Sequence, residues 1–245
     1  MPLPLVSIRR RSCVRGFTLV ELLTVIAIVG ILAAIIIPVV GRVRMNSQSS
    51  VCQSNLRQIG LATALYVNDA KVFPYSTSST GVNWRQTLRP YMGVGDPSNS
   101  DEKNSSAVVC PSRTIEPAVA ADFYKATYSC NPRLLVNPST PGSPASVRAS
   151  SVTRPAQIIL FGDATQQANG GSHSQFWSVP EMIADGSPDQ ADTPIGTDVI
   201  TDSDPQANGY IRYRHDNSMN AVFVDGHVAS FKKGTIMNRN VRINY

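Results

Sequence analysis

"RRRSCVRGFTLVELLTVIAIVG", residues 9–30, sets four arginines ahead of a nearly unbroken apolar run that holds one glutamate, Glu21. The apolar run continues to Val40, and residues 17–40 make 24 positions with Glu21 as the only charge. As a helix rising about 1.5 Å per residue this segment reaches roughly 36 Å, enough to cross a hydrocarbon core of about 30 Å. It is longer than the core of a secretory signal and lacks a small-residue cleavage pattern at its end, so it is expected to stay in the membrane. The net charge of +5 is concentrated before it. Arg9, Arg10, Arg11 and Arg15 belong to residues 1–16, which contain no acid, so the remainder carries only +1. That distribution argues against nucleic acid as a partner, because no basic helical stripe or interleaved aromatics follow. It argues for a cytoplasmic N-terminus and a translocated remainder.

Glu21 is the anomaly. A carboxylate in a spanning helix costs about 2.5 to 3.5 kcal/mol on the insertion scale and is normally paired. One account is snorkelling to the headgroup zone from a position near the helix start. Another needs a cation at the same depth. A cut between Gly16 and Phe17 would create one, the new amino group of Phe17, either in the same helix or on a parallel neighbour.

Arg15-Gly16-Phe17-Thr18-Leu19-Val20-Glu21-Leu22-Leu23, following a short basic leader, resembles the processing site of type IV prepilins and of the pseudopilins of type II secretion. The resemblance implies cleavage after Gly16 by prepilin peptidase, N-methylation of Phe17 by the same enzyme, and a role for Glu21 in subunit assembly. It implies a single-pass protein of the inner membrane with a periplasmic or extracellular head. Its partners would be other pilins or pseudopilins, met through the N-terminal helix, and an inner-membrane assembly platform. Pro38 and Gly41 fit the kinked stem of such proteins.

Beyond the span, "CQSNLRQIGLATALYVNDAKVFP" (52–74) places Cys52, Leu56, Ile59, Thr63 and Tyr66 on one helical face, widened by Ala62 and Leu65. Gly60 weakens this helix and Pro74 bounds it. The expected organisation is a basic leader at 1–16, a transmembrane helix at 17–40, an amphipathic stem helix at 41–74 and a head at 75–245. From residue 75 short apolar runs are cut by Pro, Gly, Ser and Asn, and strands are expected at 107–110, 157–161, 220–224 and 227–231. "NAVFVDGHVASF" (220–231) reads as a hairpin closed by a two-residue type I′ turn at Asp225-Gly226. The predicted fold class is α+β and pilin-like, a long N-terminal helix packed on an antiparallel sheet.

Between Arg154 and Arg212 stand eight acidic residues and no Lys or Arg, and residues 166–206 read as a long solvated acidic loop. Calcium is a competing use for these carboxylates, as the resemblance to major pseudopilins suggests, but no EF-hand spacing is present and no ligand set can be assigned. No cofactor is expected. "RHDNSMNAVFVDG" (214–226) places His215 ten residues before Asp225-Gly226, which resembles a His-x9-Asp-Gly motif that closes many prepilin-like proteins. "CQSNLRQIGLA", "VVCPS", "YSCNP" and "ILFGD" match the habits of the same group. A metal or proton-shuttling role for His215 and His227 with Asp216 and Asp225 is set against a structural hydrogen bond in which His215 pins the hairpin or the strand end at Asp163, which is preferred because the spacings match no zinc pattern; a hydrolase would rest on the trio Asp163, His215 and Asp225 alone.

Cys13 falls in the leader, leaving Cys52, Cys110 and Cys130. In an oxidising periplasm Cys110 and Cys130 could close a loop of about twenty residues, worth roughly 3 kcal/mol in the chain-entropy model. Cys52 sits on the apolar stripe and reads as a small buried hydrophobe. No nucleophile elbow, P-loop, dinucleotide fingerprint or H-E-x-x-H is present, and the chain is expected not to be an enzyme. His173 reads as a loop residue. The alternative to a fibre subunit is a membrane-tethered module whose Phe176, Trp177 and long loop capture glycan or protein cargo.

Overall fold

The computed structural model describes residues 17–93, 106–113, 127–140, 142–165, 192–195 and 210–243. The chain divides into two compact units, 1–43 and 44–245, with the boundary inside a single helix, α1 (Leu19–Ala70). In the first unit every large apolar side chain from Phe17 to Val43 is at least half exposed. These are the side chains that water would disfavour most and lipid or a like helix would accept. α1 runs through Pro38 without ending. It stops at Ala70, ahead of Pro74, where Lys71 takes a left-handed φ of 62° and donates its N–H to the carbonyl of Val67 over 2.8 Å. This is a C-terminal cap of the kind glycine usually supplies.

In the second unit α1 buries Cys52, Asn55, Leu56, Ile59, Gly60, Ala62 and Thr63. The expected stripe is present, with Tyr66 at its half-buried margin; Leu65 instead lies 46% exposed. This face packs on a four-stranded antiparallel sheet, β1 (Tyr128–Cys130), β2 (Ile159–Asp163), β3 (Ser218–Phe223) and β4 (Val228–Lys232), ordered as in the sequence. The fold is α+β, as the sequence predicts.

Alternation along β3 explains how both faces of the sheet are buried. Val222 joins Cys52, Leu56, Ile59, Phe161 and the short helix α2 (Trp84–Leu88) in one core, where the Trp84 and Phe161 rings stand 4.6 Å apart. Met219, Ala221 and Phe223 point the other way, into a second core closed by Ile195, Ile211, Ile236 and Val241.

Two expectations change. Residues 107–110 are not a strand; Ser106–Val108 form a 3-10 turn that delivers Cys110, whose N–H donates to Thr127 Oγ1 over 2.6 Å. The β3–β4 connection is not a two-residue turn. Gly226 donates to Phe223 O over 3.0 Å and Phe223 to His227 O over 2.9 Å, with Gly226 alone at positive φ, so three residues are looped out with a glycine bulge. A two-residue type I′ turn does occur, but earlier: Asp216 and Asn217 have φ of 51° and 56°, and His215 and Ser218 exchange backbone bonds of 3.0 Å. The acidic loop lies outside the described residues except for 192–195, where Asp192 meets Arg239 at 2.6 Å and Ile195 is buried.

Candidate functional site

Two places in the chain concentrate functional side chains. The first is the start of α1. Gly16 lies outside the described residues; Phe17 is described and 79% exposed. Glu21 closes a capping box with Thr18: its Oε2 accepts the Thr18 N–H at 2.9 Å and the Thr18 hydroxyl at 2.8 Å, while the Glu21 N–H donates to Thr18 Oγ1 at 3.2 Å. The spacing Thr18-x-x-Glu21 was in the sequence to be seen. The carboxylate thereby completes the N-terminus of its own helix, and it also lies where the helix dipole favours a negative charge. Both bonds to the carboxylate converge on one oxygen. Among the described residues Oε1 accepts no side-chain or backbone donor, which leaves it open to a cation.

The second is a buried cluster in the unit 44–245. Cys52 comes from α1, Cys110 from the turn before β1, Asp163 from the end of β2 and His215 from the residue that opens the Asp216-Asn217 turn. All four are buried, and their potential ligand atoms lie within 4.8 Å of one another. The Cys52 thiol donates to Asp163 Oδ1 at 3.3 Å, Cys110 Sγ lies 3.3 Å from His215 Nε2, and that nitrogen lies 3.4 Å from Asp163 Oδ2. Around them the Tyr128 hydroxyl reaches Cys52 Sγ at 3.1 Å and the Asn220 N–H donates to Asp163 Oδ2 at 2.8 Å.

The electrostatics follow from burial and company. Burial pushes the Cys52 thiol well above its usual range, reinforced by Cys110 and the Asp163 carboxylate. Burial would also raise Cys110, but hydrogen bonds from Cys52 and His215 and the charge of Arg214 outweigh it and hold that thiol at about 6. Burial opposes the charge on His215, yet Asp163 and Cys110 raise it to about 9. Both shifts favour charge separation between the Cys110 sulfur and the His215 ring.

The structure sorts the sequence candidates. It brings His215 and Asp163 together and leaves Asp225 elsewhere, at the hairpin tip, where Asp225 Oδ1 sits 2.6 Å from His227 Nδ1 and the His227 ring stacks on Phe223 with centroids 4.0 Å apart. Gly226 serves that hairpin through its φ of 90°. The Cys110–Cys130 bridge is not formed: no disulfide joins Cys52, Cys110 or Cys130 in this structure. Cys110 is turned into the cluster, and Cys130, on β1, is a core residue that burial raises beyond its usual range and the nearby Arg85 lowers. The participation of Cys52 and Cys110 is the part that the sequence did not disclose. His173, Phe176 and Trp177 lie outside the described residues.

Comparison with known proteins bears on the first place most directly. Residues 11–37 match the prokaryotic N-terminal methylation motif, and residues 49–158 match a protein family of unknown function (DUF1559). No solved structure matches the chain. Over 133 residues, 53% of this chain and 81% of the relative, the sequence is 32% identical to the type IV major fimbrial protein FimA of Dichelobacter nodosus. With the methylation motif on the exposed apolar start of α1 and this relative covered over most of its length, the chain belongs to the family of type IV pilin-like proteins.

Proposed function

We propose that the chain is a prepilin-type subunit cut after Gly16 by prepilin peptidase, N-methylated at Phe17, and assembled through residues 17–40 into a pseudopilus or type IV pilus-like fibre. The observation that carries this is the exposed apolar start of α1, residues 17–43, together with the one carboxylate placed at its beginning. Before assembly the bilayer covers that surface; afterwards neighbouring helices do. A single pass with the N-terminus in the cytoplasm follows from Arg9, Arg10, Arg11 and Arg15 on one side of the span and the head on the other. Other subunits and an inner-membrane assembly platform are the partners this role requires.

The role assigned to Glu21 is electrostatic. Thr18 satisfies Oε2, and the methylated ammonium of a neighbouring Phe17 is the donor for Oε1. Such a charge-assisted bond in a low-dielectric setting sets the axial offset between helices more sharply than apolar packing, which tolerates sliding. The work is mechanical rather than catalytic.

Mass spectrometry of the mature N-terminus tests the processing. An N-methylated Phe17 as first residue is expected; a retained Met1, or a cut at another bond, would remove the basis of the proposal.

A further inference from the structure

We propose that Cys52, Cys110, Asp163 and His215 form a structural zinc site that pins α1 to the sheet of the head. Three of the distances within the cluster are close to those a tetrahedral ion would need. Zinc takes Cys sulfur at about 2.3 Å, His nitrogen at about 2.0–2.1 Å and carboxylate oxygen at about 2.0–2.2 Å, so the edges of its tetrahedron run to roughly 3.4–3.8 Å. Three contacts between members of the cluster measure 3.3, 3.3 and 3.4 Å. The remaining separations lie within 4.8 Å, so closing onto the ion asks for shifts of at most about 1 Å.

Each of those contacts otherwise depends on a proton lodged between two atoms that are both good ligands. On binding, Cys52 releases its thiol proton and the Cys110–His215 pair releases the one proton it shares, both to solvent, so that the two sulfurs ligate as thiolates, His215 as the neutral imidazole and Asp163 through a carboxylate oxygen. The site then carries a formal charge of −1, which the nearby Arg214, acting on Cys110, offsets. The surrounding groups are already aligned. Tyr128 donates its hydroxyl to the Cys52 sulfur at 3.1 Å, and Asn220 donates its N–H to Asp163 Oδ2 at 2.8 Å, so Oδ1 turns toward the ion once the Cys52 proton is gone. Such outer contacts fix ligand orientation and favour the deprotonated sulfur.

The donor set selects the metal. Two thiolates and an imidazole suit zinc and disfavour calcium, magnesium or manganese, which take oxygen. Four protein ligands in a closed, buried site leave no open position for substrate water, so the role is structural rather than catalytic. The ligands come from α1, the turn before β1, β2 and the segment before β3, and one ion therefore ties together the four pieces of chain that the head must hold in register. This inference is independent of whether the apolar start of α1 assembles into fibres.

The full-length chain, produced in zinc-supplemented medium and purified in detergent, provides the test. One zinc per chain is expected by elemental analysis. Cobalt in its place should give the intense visible bands of a tetrahedral ion and thiolate-to-cobalt charge transfer. Cys110→Ser and Cys52→Ser should lower the zinc content at least tenfold, His215→Cys should keep it, and Cys130→Ser, outside the cluster, should keep it as well. The wild-type stoichiometry and cobalt spectrum stand even where a variant fails to fold. Wild-type protein with less than a tenth of an equivalent of zinc would overturn the proposal. So would an intact mass two hydrogens light with a Cys52–Cys110 disulfide, or an unchanged zinc content in Cys110→Ser.

Discussion

The Cys52 thiol donates to Oδ1 of Asp163 across 3.3 Å, joining α1 to the end of β2 over 111 positions of sequence. Asp163 is fully buried and its other oxygen accepts the Asn220 N–H at 2.8 Å. Asp163→Ala strips the acceptor from the Cys52 thiol and the Asn220 N–H and the partner from His215 Nε2, and leaving such groups dry costs more than the hydrogen bonds themselves contributed. A loss of about 2–4 kcal/mol is expected. Chemical unfolding followed by near-UV circular dichroism measures it, and adding a chelator to both proteins isolates the hydrogen-bond part from any contribution of a bound ion. A loss below about 0.5 kcal/mol in the chelated pair would show that Asp163 does not organise the cluster.

Gly60 answers a question the sequence leaves open, namely why a helix-weakening residue stands in the middle of a core-facing stripe. A Cβ built at this position would lie 2.7 Å from Val222 Cγ2, so the glycine lets α1 approach β3 closely. Gly60→Ala gains about 1 kcal/mol of helix propensity and incurs about 1–3 kcal/mol of overpacking. A net destabilisation of about 1 kcal/mol is expected, and the Gly60→Ala/Val222→Ala pair should recover part of it. A double-mutant cycle on urea midpoints reads the coupling, and additive effects would show that the two residues do not interfere.

The parts of the fold that repeat were legible in the sequence, and the parts set by single long-range contacts were not. Cys52, Leu56, Ile59 and Thr63 announce the buried face of α1 because a helix repeats every 3.6 residues. β2, β3 and β4 show as short apolar runs, although β2 sits two residues later than the run suggests. β1 has only Tyr128–Cys130, all buried, too few residues to display alternation. "VVCPS" looks like a strand, yet its backbone is committed locally to a turn and to Thr127. The candidate site divides the same way. His215 and Asp163 stand out as ionisable residues among apolar ones, whereas Cys52 and Cys110 look like ordinary core cysteines until the fold brings them together.

The turn that positions His215 is open to direct test. Asp216 and Asn217 hold φ near 51° and 56°, a region where Asn, Asp and Gly are tolerated and β-branched residues are strained. Asn217→Val is expected to cost about 1–2 kcal/mol, and Asn217→Gly to be neutral within about 0.5 kcal/mol. Thermal melts of the two variants side by side check the sign. Equal stability would mean that the turn is not held in the left-handed region in solution.

Thr18 and Glu21 separate two jobs that a single substitution would confuse. Glu21 caps its own helix through Thr18, and the proposed fibre also uses its charge. Glutamine at the third helical position can still reach back to the Thr18 N–H, so Glu21→Gln keeps the capping box and removes only the charge. Thr18→Ala does the converse, removing the hydroxyl at a local cost of about 1 kcal/mol while keeping the carboxylate. If the charge sets subunit docking, Glu21→Gln should lose incorporation into fibres, scored by co-purification with wild-type subunits after shearing, while Thr18→Ala retains most of it. If the carboxylate serves only as a cap, the order reverses: Glu21→Gln assembles and Thr18→Ala is impaired. Circular dichroism of both variants in detergent should show helix content within a few residues of wild type, so that any difference in assembly is traceable to the lost charge rather than to an unravelled helix start.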